Sequence, residues 1–137
     1  MLKLLNRYSD WAPVFLRVAI GIIFIAHGRA KLFGGLDRVE NMLQGLGFPL
    51  PGVFAVILAC TEFFGGSCIL LGIFTRWAAL LIAIVMAVAI AKVHLPHGLT
   101  GEGGYEFPLA LFVGAIALML LGAGKASIEQ TVLKREF

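Results

Sequence analysis

The chain has 137 residues, of which 60% are hydrophobic and 14% are charged. Soluble domains are typically about 45–50% apolar and about 25% charged, so this composition excludes an ordinary water-soluble globule and indicates an integral membrane protein. The net charge of +3 is modest and the basic residues form no run, which argues against nucleic acid as a partner.

Four apolar segments are predicted to cross the membrane, at about 12–33, 51–74, 77–93 and 107–123. Segments in lipid must be helices or closed barrels, because every backbone N–H and C=O group needs an internal partner. The sequence therefore predicts an all-α membrane protein with one domain, an antiparallel bundle of four transmembrane helices. Arg17 interrupts the first apolar run, so we expect an uncleaved membrane helix rather than a signal peptide.

The connection between the first two spans carries an amphipathic pattern. Val39, Met42, Leu43 and Leu46 recur at helical spacing, and charged and amide side chains occupy the other side. This pattern predicts a short helix lying in the membrane interface. An even number of spans places both termini on one side, and the excess of Lys and Arg on that side predicts that both are cytoplasmic.

Ionisable side chains inside a membrane are costly and normally face the bundle interior. In each predicted span they share a helix face with small residues, which let membrane helices approach closely. We expect these four faces to meet, although packing alone would explain the small residues. The faces consist of Arg17, Gly21, Phe24, Gly28 and Lys31 in the first span, Ala55, Ala59, Glu62 and Gly66 in the second, Ala83, Ala87, Ala91 and His94 in the third, and Glu106, Ala110, Gly114 and Ala117 in the fourth.

Glu62 is the most informative of these residues because it lies about 16 Å from the start of the second span, close to the midplane. An unpaired carboxylate there would be protonated or would find a cation. Its candidate partners are Arg17, His27 and Lys31. Two interpretations stay open, a structural ion pair that fixes helix register and a functional group that handles protons or binds a polar headgroup or ring.

A metal site is an alternative for the histidines that follow the third span. His94 and His97 form an H-x-x-H pattern, and Glu102 and Glu106 follow. Pro96 breaks the pattern, and the set lacks the tight ligand spacing of known metal sites. We therefore predict polar interface residues here and no metal.

The order of the motifs resembles the DoxX family of small four-helix membrane proteins. The resemblance extends from about residue 15 to about residue 128, in the segments LRVAIGIIFIAHGRAKLFGG, GFPLPG, TEFFGGSCILLGIFTRWAAL, KVHLPHG and GGYEFPLALFVGAIALMLLGAGKASIE. It implies a protein of the bacterial or archaeal cytoplasmic membrane. Family members are described as subunits of quinone-linked thiosulfate oxidation, as partners in oxidative-stress complexes, or as oxidoreductases. The family's motif positions correspond to Arg17, His27, Gly28, Lys31, Glu62, Gly66, Tyr105 and Glu106.

These observations together predict a membrane subunit of an oxidoreductase or oxidative-stress system that contacts quinone in a polar intramembrane pocket. His27 and Glu62 are the candidate catalytic pair, which would handle protons. The candidate ligand-binding residues are Arg17, Lys31, His94, Tyr105 and Glu106, the last two closing the mouth of the pocket. We expect no tightly bound cofactor, so that the electron carrier is a quinone or a soluble or membrane redox partner, and a homodimer is the candidate assembly.

Two other functions stay open at this point. The first is a small-molecule transporter in which Glu62 is the proton-coupled group. The second is a non-catalytic scaffold for assembly in the membrane, which would dock through the amphipathic segment 37–46.

Overall fold

A computed structural model describes residues 2–137, and within that range the regular secondary structure is entirely helical. The α-helices are α1 Ala12–Leu32, α2 Leu36–Gly45, α3 Pro51–Leu71, α4 Thr75–Ala89 and α5 Glu106–Leu121. The remaining helical elements are 3-10 helices at Leu2–Trp11 and Leu95–His97 and π-helices at Ile90–His94 and Glu129–Leu133. The predicted all-α class is confirmed.

Within residues 2–137, three helical stretches are long and apolar enough to cross a membrane, namely Leu2–Leu32, Pro51–Leu71 and Thr75–His97. They correspond to the first three predicted spans. The fourth, α5, is equally apolar but has only 16 residues. At 1.5 Å per residue it covers about 24 Å, somewhat less than a hydrocarbon core of about 30 Å. The chain therefore has the character of a helical membrane protein.

The ends of α3 follow from its sequence. Pro51 opens the helix, where its missing N–H group costs nothing. The helix ends at Leu71, earlier than the predicted boundary near 74, because Gly72 adopts a left-handed conformation with φ of 69°. The N–H group of Ile73 then donates to the carbonyl of Cys68 at 2.9 Å, which is a Schellman-type ending.

Close packing of α1 against α3 forms one half of the structure. A Cβ atom on Gly21 would lie 2.8 Å from Cβ of Leu70, and one on Gly28 would lie 2.6 Å from Cα of Phe63. Both distances are too short for a side chain, so these glycines permit the approach of the two helices. The predicted faces of the first two spans are confirmed, since the residues buried on them include Arg17, Gly21, Phe24 and Gly28 in α1 and Ala55, Ala59, Glu62 and Gly66 in α3.

The faces predicted for the third and fourth spans are correct only in part, since Ala83 is buried and Gly114 lies against Ile20. Ala87, Ala91 and Ala110 are exposed. Packing of α4 against α5 combines alanines with larger apolar side chains, which join α1 and α3 in a common core. The residues buried in these helices are Thr75, Ala78, Ala79, Ile82, Ala83 and Met86 in α4 and Pro108, Leu111, Ala115 and Leu118 in α5.

The predicted amphipathic helix is present as α2, and it packs against the beginning of α3. Val39 and Leu43 are buried against Ala55. Gly28 of α1 packs against Phe63 of α3, and the two helices run in opposite directions. From this contact, α3 continues about 18 Å to its first residue, whereas α1 continues in the same direction for only about 6 Å to its last residue. Helix α2 covers the part of α3 that α1 leaves uncovered. Its placement in a membrane interface stays a prediction.

Candidate functional site

An ion pair joins α1 to α3. Nζ of Lys31 lies 2.6 Å from Oε1 and 2.5 Å from Oε2 of Glu62, so both carboxylate oxygens accept from one ammonium group. The Glu62 side chain is only 4% exposed, whereas that of Lys31 is 24% exposed. Among the three cations considered for Glu62, the structure pairs it with Lys31.

The helix packing explains this pairing. Gly28 lies against Phe63, which follows Glu62 directly, and Lys31 lies one helical turn beyond Gly28 on the same face of α1. The flexible stem of Lys31 can therefore reach the carboxylate while its apolar carbons stay in the protein. Because each charge is neutralised by the other, the pair can exist in a segment that is otherwise apolar.

A cleft of about 850 Å³ lies beside the ion pair. Every α-helix contributes to its wall, and most of the contributing side chains are apolar. Typical apolar wall residues, one from each α-helix, are Phe24, Met42, Leu58, Val85 and Leu111. The ionisable side chains on the wall are His27, Lys31, Arg38, Glu62, Lys92 and His94.

His27 and His94 both line this cleft, but each ring bonds to a backbone carbonyl rather than to Glu62. Nδ1 of His27 lies 2.8 Å from the carbonyl oxygen of Ile23, and Nδ1 of His94 lies 2.8 Å from that of Gly103. A carbonyl oxygen can only accept, so Nδ1 must carry the proton in both rings. In the neutral ring, Nε2 is then a free acceptor. The predicted pair of His27 and Glu62 thus shares a cleft without a direct hydrogen bond.

Arg17 lies far from Glu62, at the opposite end of the α1–α3 contact. The expectation that it could reach Glu62 is wrong, because the helices run antiparallel and Arg17 falls beside the end of α3. Its guanidinium group is buried and donates to backbone carbonyls at 2.9–3.3 Å. The acceptors are Ile69 and Leu70 at the end of α3 and Ala123, Lys125 and Ala126 after α5. Carbonyls at helix ends carry partial negative charge, which is compatible with a buried cation.

Tyr105 and Glu106 do not close the mouth of the cleft. Tyr105 is half-buried and Glu106 is exposed, and the residues of this region that line the cleft are Phe107 and Pro108. Glu106 opens α5, where a carboxylate is favourable near the helix N-terminus. The structure therefore brings Lys31, Glu62, His27 and His94 to one cleft and leaves the other predicted site residues outside it.

A second polar cluster lies at the same end of the bundle as Arg17 and was not predicted from the sequence. Oε1 of the fully buried Glu129 accepts from the backbone N–H of Thr75 at 2.8 Å, at the start of α4. Oε2 of Glu129 and Oγ1 of Thr75 are buried without a hydrogen-bond partner among the described residues. Glu129 lies beyond the last predicted span, so the hydropathy pattern gave no reason to expect it in the interior. The first N–H groups of α4 have no capping side chain of their own and need an acceptor from elsewhere in the chain. This need was the signal by which a buried carboxylate at the start of α4 could have been predicted.

The donor set of the cleft does not favour a metal. Within residues 2–137, no three His, Cys, Asp or Glu side chains gather in an arrangement that could hold a metal ion. His97, the second histidine of the H-x-x-H pattern, bonds through Nδ1 to the carbonyl of Val93 at 3.1 Å.

Comparison with known proteins finds one family model and several relatives, some of which are named as membrane proteins. The family model described as DoxX matches residues 12–95, a segment that includes Lys31 and Glu62. The "Putative oxidoreductase CatD" of Bacillus subtilis (strain 168) is 31% identical, over 95% of this chain and 93% of that protein. An uncharacterized membrane protein of Mycobacterium tuberculosis is 27% identical, over 97% and 88%. The inner membrane protein YqjF of Escherichia coli (strain K12) is 26% identical, over 96% and 99%. No solved structure matches the chain.

Proposed function

The chain belongs to the DoxX family of membrane proteins, and on that premise we propose that it is a membrane subunit of an oxidoreductase or oxidative-stress system that binds a quinone beside Lys31 and Glu62. The observation that carries the proposal is a mostly apolar cleft with an ion pair of the buried Glu62 and the half-buried Lys31 on its wall. The relative named as an oxidoreductase supports the redox assignment.

The chemistry of a quinone suits this cleft. A quinone has an apolar ring and tail and two carbonyl oxygens that accept hydrogen bonds. The cleft volume of about 850 Å³ is typical of sites for small molecules and cofactors. An ammonium group has three N–H donors, and the Glu62 oxygens engage Lys31 at two positions. The remaining N–H group of Lys31 is available to a quinone carbonyl.

The same wall offers groups that can move protons. When a quinol is oxidised, its two O–H bonds break, two protons leave and two electrons pass to an acceptor. We assign the protons to Nε2 of His27 and to the carboxylate of Glu62, and the electrons to a redox partner protein. The reverse steps, with protons returned from the same groups, would reduce a quinone. Lys31 would hold the oxygen atom and tune the charge of Glu62.

We also propose how the chain lies in the membrane. Helix α5 supplies a fourth crossing of the cytoplasmic membrane, which makes a four-span bundle with α1, α3 and α4 and places both termini in the cytoplasm. The support is the distribution of basic residues. The side of the termini would hold Lys3, Arg7, Arg76, Lys125, Lys134 and Arg135.

Quinone binding by the purified protein tests the function. The protein, free of partners, is titrated with a labelled short-chain quinone, and Glu62→Gln is compared with Glu102→Gln, an exposed residue outside the cleft wall. We expect saturable binding that Glu62→Gln weakens about tenfold or more and Glu102→Gln leaves unchanged, as expected when a polar partner in a binding site is lost. Binding that is not saturable, or that both variants reduce equally, contradicts the proposal.

Two further measurements separate the competing functions. Flux of a small compound into proteoliposomes that depends on pH and on Glu62, without quinone binding, would identify a transporter instead. If Glu62→Gln changes only thermal stability or recovery of a partner protein, the chain is a scaffold.

A further inference from the structure

The end of α4 has an irregular feature that shapes the mouth of the cleft. The helix continues into a π-helix at Ile90–His94, in which the N–H group of Leu95 bonds to the carbonyl of Ile90. A π-turn is wider than an α-turn, rotates the following side chains, and occurs often at functional sites. Here Lys92, Val93 and His94 all line the cleft. The irregular turn thus brings a lysine and a histidine to an opening whose inner wall is apolar.

Arg38 supplies a second cation from α2. It lines the same cleft and is exposed, as is Lys92. In the part of the chain that the structure describes, the ion pairs are Lys31–Glu62, Arg76–Glu136 and Lys125–Asp10, so neither Arg38 nor Lys92 has a carboxylate partner there. The single carboxylate on the cleft wall, Glu62, is already paired with Lys31. The cleft therefore carries two positive charges that the described chain does not neutralise.

We propose that the mouth of the cleft is a binding site for an anionic phospholipid, with the phosphate group held by Arg38 and Lys92. A guanidinium group offers paired donors that match phosphate oxygens, and an ammonium group adds a mobile point charge. The acyl chains lie along exposed apolar residues that also line the cleft, such as Ile57, Ile84 and Val88. A free phosphate ion would leave this apolar wall uncovered, so the wall favours a lipid as the occupant.

This proposal does not rest on the proposed quinone function, and the two sites share one cleft. The lipid site uses Arg38 and Lys92 rather than the ion pair of Lys31 with Glu62, and a lipid at the mouth requires no redox step. A bound lipid would shield these two cations from the hydrocarbon. Basic pockets between membrane helices bind lipid headgroups by the same electrostatics.

Native mass spectrometry of the full chain in mild detergent tests the proposal. The protein is titrated with phosphatidylglycerol, which has one negative charge, or with neutral phosphatidylcholine of the same acyl chains. We expect one phosphatidylglycerol to be retained about thirtyfold more strongly than phosphatidylcholine, since each of the two basic residues strengthens the attraction of anionic lipid about fivefold. The double variant Arg38→Gln, Lys92→Gln should lose this preference.

Three controls keep the outcome decisive. The double variant Arg29→Gln, Lys125→Gln removes two exposed cations outside the cleft wall and should keep the preference. Glu62→Gln should also keep it, so failure of quinone binding would leave the lipid site standing. Equal retention of both lipids by the unmodified protein, or equal loss in both double variants, overturns the proposal. Displacement of the lipid by millimolar inorganic phosphate would instead assign the site to a free anion and overturn the lipid assignment.

Discussion

Lys31 and Glu62 neutralise each other across the contact between α1 and α3, with the ammonium nitrogen 2.6 and 2.5 Å from the two carboxylate oxygens. Each helix alone would present an uncompensated charge to the lipid, which is costly. The correct pairing of α1 with α3 removes both charges from lipid at once. The pair therefore fixes the register of two helices and places a donor and a carboxylate on the wall of the cleft.

Removal of the lysine alone should be strongly destabilising. In Lys31→Met the carboxylate of Glu62 stays buried without its partner, and we expect a loss of about 3 kcal/mol in the free energy of unfolding. The double variant Lys31→Met, Glu62→Gln should recover most of this loss, because no buried charge remains. Thermal unfolding in detergent measures both, with Arg29→Met on the exposed side of α1 as control. Equal stability of Lys31→Met and the unmodified protein would show that the pair does not hold the helices together.

The approach of α1 to α3 should not tolerate a larger residue at Gly28. An added Cβ atom would lie 2.6 Å from Cα of Phe63, on a backbone that cannot move aside easily. We expect Gly28→Ala to cost about 1–3 kcal/mol, as is typical of overpacking. Gly45→Ala is the matched control, because nothing lies within 4 Å of its added Cβ atom and alanine is the better helix former. A Gly28→Ala variant that melts no lower than Gly45→Ala would contradict the packing described.

Arg17 should hold the segment after α5 in place. Its guanidinium group bonds at once to the end of α3, through Ile69, and to the turn after α5, through Ala123. A lysine keeps the charge but not the planar fork, so Arg17→Lys should release this turn. We expect this turn to lose about 1.4 kcal/mol of local stability in the variant, so that trypsin cuts after Lys125 about tenfold faster. Mass spectrometry of the fragments measures the rate. In the control variant Arg7→Lys, which changes an exposed residue, trypsin should cut after Lys125 at the original rate. An unchanged rate of this cleavage in Arg17→Lys would contradict the role of Arg17.

The buried Glu129 should stabilise the start of α4. Its carboxylate accepts from the N–H group of Thr75, where the helix dipole favours a negative charge. We expect Glu129→Gln to lower the free energy of unfolding by about 1–2 kcal/mol, a range typical of a lost cap and its charge. Glu136→Gln changes an exposed carboxylate of the same C-terminal region and should have an effect below about 0.5 kcal/mol. Indistinguishable melting temperatures for these two variants would show that Glu129 does not stabilise the start of α4.

The faces on which two helices meet could be predicted from the sequence where small residues and charges occur together on one helix face. In α1 and α3 the glycine spacing places Lys31 and Glu62 on the surfaces that meet, so a cation for Glu62 could be expected. The same rule was correct only in part for α4 and α5, because their contact combines Ala83 with larger side chains such as Ile82 and leaves Ala87 exposed. Small residues mark a helix contact only where the backbones approach closely.

The placement of three polar residues could not be predicted from charge pairing. Arg17 was one of the candidate partners for Glu62, but carbonyl groups at two helix ends satisfy it, and their position depends on how the chain turns after α5. Glu129 returns to α4 from beyond the predicted spans, a long-range contact with no periodic signal. The π-helix that directs Lys92 into the cleft likewise depends on local backbone geometry, which hydropathy does not report.

Saturable photo-crosslinking is the most direct test of quinone binding beside Lys31 and Glu62. A photoreactive quinone is added to the full chain in nanodiscs, with and without excess unlabelled quinone, and the labelled peptides are mapped by mass spectrometry. If the quinone binds in the cleft, the labelling that competitor removes falls on cleft residues such as Phe24, Leu58 and Val85. This labelling is lost in Glu62→Gln. Competable labelling confined to exposed residues outside the cleft, such as Val113 and Leu120, or labelling that no competitor removes, would contradict binding in the cleft.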